Sequence, residues 1–219
     1  DAALVEASCA ILEDPLLDDA TRLKVLDAFF VMERRTIEGQ ALDLGWVRDG
    51  RWDADYLQMA TLKTAHYSCA SPLVIGAICG AADENQIRAL EVFGLECGLA
   101  FQLQDDLLNL TGDAAEQGKD FMSDIAEGKR TLIVTHALEA LDGSARAELI
   151  SILEAKTNDP ALHTRAVGLL DQAGALAYVR DLAHSMVARA TDALAQADIS
   201  SDAYATLVSM ADYFVERAG

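Results

Sequence analysis

The sequence predicts an all-α fold in which long helices pack into a single-domain bundle around a central cavity. Hydrophobic residues make up 52% of the 219 residues and there are only 3 prolines, a composition that supplies a large core. Apolar residues recur at helical spacing along most of the chain, and no segment shows the alternation typical of a β-strand. The length fits one domain, and we expect residues 1–219 to form it.

The first half of the chain contains clear helix boundaries. We predict a short helix over Ala2–Glu13 that ends before Pro15, followed by a helix that begins at Asp18 or Asp19 and extends to about Trp46, since aspartate favours helix starts and proline favours their ends.

Polar residues 48–53 predict a loop, after which Asp53 caps a helical run that Pro72 breaks or kinks. A turn at residues 80–84 then precedes a long helix over about residues 85–110.

The second half begins with a stretch that has no helical period, residues 111–129, which we interpret as a loop. Loops of this length in compact domains are often functional. From Thr131 onwards the helical pattern continues to the end, with breaks near residues 142–144, 158–160, 174 and 199–200.

Charge and composition exclude several classes of partner. The formal net charge is -19, which argues against binding to nucleic acid or to an anionic membrane surface. No apolar run reaches the roughly 18 residues of a membrane span, so stable membrane insertion is not expected. The four cysteines show no CxxC spacing and are interpreted as core residues in a reducing, cytoplasmic location; they are Cys9, Cys69, Cys79 and Cys97.

The strongest functional signal is the run FQLQDDLLN over residues 101–109. Asp105 and Asp106 lie among apolar residues, although ionised carboxylates are seldom buried without a cation. On a helix, Gln102 and Asn109 share a stripe with this pair, and such a set of oxygen ligands suits Mg²⁺. The alternative is an acidic stripe that faces solvent.

Two lysines after this run favour the first interpretation. Lys119 and Lys129 each follow a glycine, which lets the backbone approach a ligand closely, while lysine supplies a mobile positive charge for phosphate oxygens. Their position just beyond the acidic pair suggests an anionic ligand bound together with the metal.

These motifs resemble the trans-type (all-α) polyprenyl diphosphate synthases, which include farnesyl and geranylgeranyl diphosphate synthases. The run FQLQDDLLN, with GK and SDIAEGKRT after it, is similar to the second aspartate-rich region of that family. Residues 37–44 resemble its GQxxDL segment, and residues 56–78 resemble its K-T-x-x-Y helix. The similarity is collinear over about residues 30–135.

The resemblance implies the isoprenoid synthase fold and a Mg²⁺-dependent prenyltransferase. Such an enzyme condenses an allylic prenyl diphosphate with isopentenyl diphosphate, 1′–4 and head to tail, to a short- or medium-chain prenyl diphosphate. The resemblance implies that Asp105 and Asp106 bind the metal. It places Asn109 at the third ligand position, where an amide oxygen can ligate but one negative charge is lost. The implied substrate-binding and catalytic residues are Lys63, Thr64, Tyr67, Gln102, Lys119 and Lys129. The resemblance also implies that Gln40 and Asp43 support the opposite pair of metal ions. Their presence is equally well explained as a polar break in a buried helix.

The sequence departs from the family pattern in two ways. Asn109 stands where the motif usually has its third aspartate. The first aspartate-rich motif does not occur, and Asp18 and Asp19 fit a helix cap better. We therefore expect that N-terminal helices carrying that motif are not represented, and that this fragment alone is inactive.

Two further hypotheses about the function are compatible with the sequence. A non-catalytic partner or regulatory subunit of a prenyl diphosphate synthase would keep the fold and one metal site. A purely structural bundle would leave the acidic pair unexplained. The resemblance also implies a homodimer packed through the first two predicted helices, while the product chain length is not determined by these residues.

Overall fold

The computed structural model describes residues 2–112 and 121–217, and within these ranges the chain is helical with no β-strand. The all-α prediction is confirmed. In the first half the helices are α1 (Ala2–Glu13), α2 (Asp19–Arg48), α3 (Tyr56–Ala60), a π-helix (Thr61–Ala70), α4 (Ser71–Cys79) and α5 (Glu84–Thr111). In the second half they are α6 (Ser123–Glu127), α7 (Leu132–Ala140), α8 (Gly143–Ala155), α9 (Pro160–Gln172), α10 (Ala175–Leu194) and α11 (Ser201–Glu216).

Helix α5 is the central helix of the bundle. It packs against the π-helix and α4 on one side and against α10 and α11 on another, while α2 covers the π-helix from outside. Six of its buried apolar side chains recur every three to four residues, as expected for a helix that faces a core; they are Phe93, Cys97, Ala100, Leu103, Leu107 and Leu110. These side chains belong to one core cluster shared with α7–α11.

Helix starts follow the predicted aspartate pattern, with one correction. Asp18 caps α2 by accepting a hydrogen bond from Thr21 N at 2.8 Å. The predicted cap at Asp53 is wrong: Asp55 caps α3 instead, accepting from Gln58 N at 3.1 Å. Asp53 pairs with Arg51, so its carboxylate is directed to a side chain and not to the N–H groups of a helix start.

The segment before Pro72 is a π-helix, although its sequence predicts an ordinary helix. Residues Thr61–Ala70 adopt this wider form, and α4 begins at Ser71 with the proline in its first turn. The helical backbone continues through this junction, since Ala70 and Ser71 keep right-handed helical φ and ψ and Ser71 N donates to His66 O. The predicted break at Pro72 is therefore a change of helix type, at the point where proline removes one N–H from the helix. A π-helix of ten residues is unusual, and such turns occur often at functional sites.

Glycines allow the helices around the π-helix to approach within backbone contact. A Cβ atom added to Gly39 of α2 would lie 2.3 Å from Lys63 N, and one added to Gly98 of α5 would lie 2.6 Å from the Cα of Ala65. No side chain larger than hydrogen fits at such distances. The two glycines therefore fix the π-helix between α2 and α5.

The predicted loop over residues 111–129 is only partly a loop. Helix α5 extends to Thr111, and residues Ser123–Glu127 form the short helix α6, which is too short to show a helical period in the sequence. None of the described helices is both long and apolar enough to cross a membrane.

Candidate functional site

Five segments of the chain converge on a small polar cavity at one end of the bundle. It encloses about 60 Å³ accessible to water. Its lining residues are Asp43 of α2, Tyr56, Met59 and Ala60 of α3, Lys63 and Thr64 of the π-helix, Gln102 and Asp106 of α5, and Lys129, Arg130 and Thr131 of the segment after α6.

Asp106 lies at the base of this cavity in a continuous hydrogen-bond network. The Tyr56 hydroxyl donates to its Oδ2, and Gln102 Nε2 donates to its Oδ1 at 2.9 Å. Thr64 Oγ1 in turn donates to Gln102 Oε1 at 2.9 Å. Only 6% of Asp106 is exposed, so these neutral donors replace water around the carboxyl group.

The environment of Asp106 disfavours its negative charge. Burial, together with the nearby charge of Asp124, raises the pKa of Asp106 to about 7. Burial and the adjacent Asp106 carboxylate also raise the pKa of Tyr56 well above its ordinary value, so the Tyr56 hydroxyl stays protonated and remains a donor. A buried carboxylate with such a shift is typical of a functional site, because a cation or a proton must accompany it.

Two lysines face this carboxyl group, and each is held by its own aspartate. Lys63 Nζ donates to Asp43 Oδ2 at 2.5 Å, and Lys129 Nζ donates to Asp124 Oδ1 at 2.7 Å. Although burial opposes it, Asp124 raises the pKa of Lys129, which stays charged. Within the described residues, Asp106 has no ion pair of its own.

Arg130 forms part of the same wall but is bound to the protein. Its guanidinium lies 3.6 Å from the centre of the Trp52 ring. Its Nε donates to Arg51 O at 2.9 Å, and Nη1 donates to Gly128 O. These contacts join the segment after α6 to the loop before α3.

The structure separates the two predicted acidic residues. Asp106 faces the cavity, whereas Asp105 forms an ion pair with Arg217, whose guanidinium lies over Phe101. Adjacent helical residues point about 100° apart, so one cavity on one side of α5 takes only one of them. The predicted single stripe is therefore corrected: Gln102 and Asp106 share the cavity face and Asp105 does not.

Other predicted residues also lie away from the cavity lining. Gln40 is exposed on α2. Tyr67 is 58% exposed and lines a separate groove with Phe101. Asn109 is buried and contacts the beginning of α6. Lys119 lies outside the described residues.

The cavity also contains residues that the motifs did not single out. Tyr56 reaches Asp106 across 50 positions of sequence, a distance over which one sequence gives no signal. Asp124 holds Lys129, and an acidic residue five positions before the lysine of a Gly-Lys pair could have suggested the contact.

The protein provides no complete metal cage in the described ranges. No three His, Cys, Asp or Glu side chains there are grouped closely enough to hold a metal ion by themselves. Mg²⁺ sites are commonly of this incomplete kind, with one or two carboxylates and the remaining ligands from water and substrate phosphates.

Comparisons with known proteins give one consistent family. Residues 3–170 match the model of the family described as polyprenyl synthetase. A short chain isoprenyl diphosphate synthase of Methanothermobacter thermautotrophicus is 39% identical over 183 residues, which are 82% of this chain and 54% of the relative. The chain spans about half the length of the curated relatives it matches.

Solved structures give the same result. The geranylgeranyl pyrophosphate synthetase of Pyrococcus horikoshii aligns with a TM-score of 0.84 and 29% identity, over 95% of this chain and 62% of that one. The geranylgeranyl pyrophosphate synthase of Corynebacterium glutamicum, complexed with isoprenyl diphosphate and magnesium, aligns with a TM-score of 0.83 and 29% identity, over 92% of this chain and 57% of that one.

Proposed function

This chain belongs to the polyprenyl synthetase family, as its motifs predicted, and on that premise we propose that the protein is a Mg²⁺-dependent prenyltransferase. It condenses an allylic prenyl diphosphate with isopentenyl diphosphate to a short- or medium-chain prenyl diphosphate. The observation that carries this proposal is the buried Asp106 carboxyl group, which lines one cavity with Lys63 and Lys129 and forms no ion pair with any of the described residues.

The oxygen atoms that line this cavity are suitable ligands for Mg²⁺. The raised pKa of Asp106 means that its charge lacks compensation, and a hard divalent cation supplies that compensation through oxygen ligands. Asp106 would hold the ion, and Asp105 could join it only after leaving Arg217. When bound, Mg²⁺ would supply Lewis-acid neutralisation of the diphosphate leaving group.

The side chains around Asp106 have separable roles in this proposal. Lys63 and Lys129 bind diphosphate oxygens as fixed positive charges, because Asp43 and Asp124 hold their ammonium groups at the cavity. Thr64 and Gln102 line the same cavity and are hydrogen-bonded to each other. They stabilise the positive charge that develops on the allylic group and orient the departing proton.

We expect Lys63→Met to raise the KM for the allylic diphosphate by about tenfold to 100-fold, because one charge-assisted contact to phosphate is worth roughly 1.5–3 kcal/mol. The measurement is steady-state kinetics of the full-length protein. Lys24→Met is the matched control, since Lys24 is exposed on α2. Equal effects of the two substitutions would remove Lys63 from the substrate site.

The activity itself is tested by incubating the full-length protein with an allylic diphosphate and labelled isopentenyl diphosphate, with and without Mg²⁺. The proposal expects a longer labelled prenyl diphosphate only when Mg²⁺ is present. The alternative of a non-catalytic partner subunit expects diphosphate binding without product. The synthase names of the relatives described above favour the enzyme, and a cytoplasmic location remains a prediction.

We further propose a homodimer packed through α2. Four large apolar side chains, seven residues apart, form an exposed stripe along this helix; they are Leu23, Phe30, Ile37 and Leu44. Asp27 and Arg34 flank the stripe without an ion pair in the described residues. Antiparallel pairing of two copies centred near residue 30 brings Asp27 of one copy alongside Arg34 of the other.

This pairing predicts a rescue by charge exchange. Asp27→Arg should weaken the dimer about threefold or more, and the double variant Asp27→Arg/Arg34→Asp should restore it, because opposite charges again face each other. Light scattering coupled to size-exclusion chromatography measures the result. A wild-type protein that is monomeric would contradict this interface. So would a dimer whose stability neither the single nor the double variant changes.

A further inference from the structure

The side chain of Asn109 connects the end of α5 to the beginning of α6. Its Nδ2 donates to Ser123 Oγ at 3.0 Å, and its Oδ1 accepts from Asp124 N at 3.2 Å. Its backbone carbonyl also accepts from Met122 N at 2.9 Å. One residue of α5 therefore contacts three consecutive residues at the start of α6.

The start of α6 needs such a partner. The first N–H groups of a helix have no acceptor within the helix, and they are usually capped by a side chain of the preceding residue. Here that residue is Met122, whose side chain provides no cap and whose φ is +60°, a conformation that costs a non-glycine residue free energy. Asn109 supplies the missing acceptor from a different helix.

Helix α6 in turn determines the position of Lys129. Asp124 on α6 is buried, its carboxylate accepts from Lys129 Nζ at 2.7 Å, and its backbone carbonyl accepts from Lys129 N at 2.9 Å. Gly128 makes this return possible because its φ is +65° and a Cβ atom there would lie 2.6 Å from Leu153 O. A shift of Asp124 would therefore move the ammonium group at the cavity.

We infer that Asn109 is a positioning residue that acts through Asp124 on Lys129, and that it is not a ligand of the metal. This inference rests on the proposed function, because it gives Lys129 the diphosphate as its ligand. A neutral amide suits the position: a carboxylate one helical turn from Asp106 and in contact with Asp124 would add a third buried negative charge to this group.

The test is a double-mutant cycle that measures the binding of inorganic pyrophosphate, with Mg²⁺, to the full-length protein by calorimetry. We expect Asn109→Ala to raise the dissociation constant about tenfold. Lys129→Met should itself weaken pyrophosphate binding. Adding Asn109→Ala to it should have no further effect, because Asn109 acts only through Lys129. Ser123→Ala removes the contact from Asn109 Nδ2 and leaves the one to Asp124 N, so it should produce a smaller loss in the same direction.

Mn²⁺ binding without pyrophosphate, followed by electron paramagnetic resonance, distinguishes positioning from ligation. Positioning leaves the Mn²⁺ dissociation constant of Asn109→Ala unchanged, whereas loss of a ligand raises it. Thr111→Ala is the control at the same helix end: its hydroxyl bonds to Leu107 O within α5, so pyrophosphate binding should not change.

Several results would overturn the inference. These are an additive effect of Asn109→Ala in the Lys129→Met background, a raised Mn²⁺ dissociation constant, or pyrophosphate binding that Lys129→Met leaves intact. If Asn109→Ala does not fold, a double-mutant cycle of Ser123→Ala and Lys129→Met tests the same prediction: Ser123→Ala should weaken pyrophosphate binding only when Lys129 is present. A wild-type protein that binds no pyrophosphate at all would instead refute the proposed function.

Discussion

Replacing Asp106 by asparagine should lower kcat on the order of 10³-fold, and should at the same time stabilise the metal-free protein at neutral and alkaline pH. The first effect follows because the substitution removes the negative charge that binds the cation of the leaving group. The second follows because the carboxylate is buried and has no cationic partner in the part of the chain that the structure describes. Asparagine keeps one acceptor oxygen, so it can still accept from the Tyr56 hydroxyl but loses the hydrogen bond from Gln102 Nε2.

The sign of the pH dependence follows from the direction of the pKa shift. The pKa of Asp106 is raised to about 7 in the folded protein, against about 3.9 in an unfolded chain. The folded state therefore binds this proton more tightly, and the free energy of unfolding decreases as the pH rises from about 4 to about 7. Asp106→Asn removes this decrease, so it should gain up to about 4 kcal/mol at pH 8 and little at pH 4.

Denaturant unfolding in the presence of a chelator, at both pH values, measures this difference, and the standard condensation assay measures kcat. Asp181→Asn is the control, since Asp181 is exposed on α10 and should change neither quantity. An Asp106→Asn protein that is less stable than the wild type at pH 8 would mean that the carboxylate is already compensated in the absence of metal.

Gly98→Ala should destabilise the protein by about 2–3 kcal/mol, the cost of overpacking a well-packed core. Its new Cβ atom would lie 2.6 Å from the Cα of Ala65, and backbone cannot move aside as a flexible side chain can. Ala65 is next to Thr64, so the forced shift should also lower kcat by disturbing the Thr64–Gln102 contact.

Gly45→Ala is the matched control for this prediction. Gly45 also lies inside a long helix, but a Cβ atom there would meet no atom of the described residues within 4 Å. Alanine should therefore stabilise α2 by about 0.5–1 kcal/mol through its better helix propensity. Thermal unfolding of both variants gives the comparison. Equal shifts of Tm in the two would show that α5 and the π-helix are not in backbone contact.

The sequence predicted the helices well because their caps and apolar periods are local features. Asp18 begins α2 as expected, and the long helix α5 differs from its predicted bounds by one residue at each end. The π-helix could not be predicted in this way, since the run TLKTAHYSCA contains no local mark of the wider turn.

The candidate site was predictable only where its residues form local sequence motifs. The acidic pair and the lysines predict the kind of ligand. They do not predict which carboxylate faces it, because neighbouring carboxylates differ only in direction and the cavity that Asp106 lines is built from distant segments. Tyr56 and Asp43 approach α5 and the π-helix from elsewhere in the chain. Arg217 holds Asp105 from the far end of the described chain. Such contacts depend on packing that the sequence pattern alone does not specify.

The most direct test of the central claim is the Mg²⁺ dependence of pyrophosphate binding at Asp106. Calorimetry of the full-length protein should show binding with Mg²⁺ that weakens at least about 100-fold when the metal is chelated, and Asp106→Asn should bind equally weakly with or without Mg²⁺. Pyrophosphate binding that is independent of both the metal and Asp106 would contradict the assignment of this cavity as the magnesium–diphosphate site.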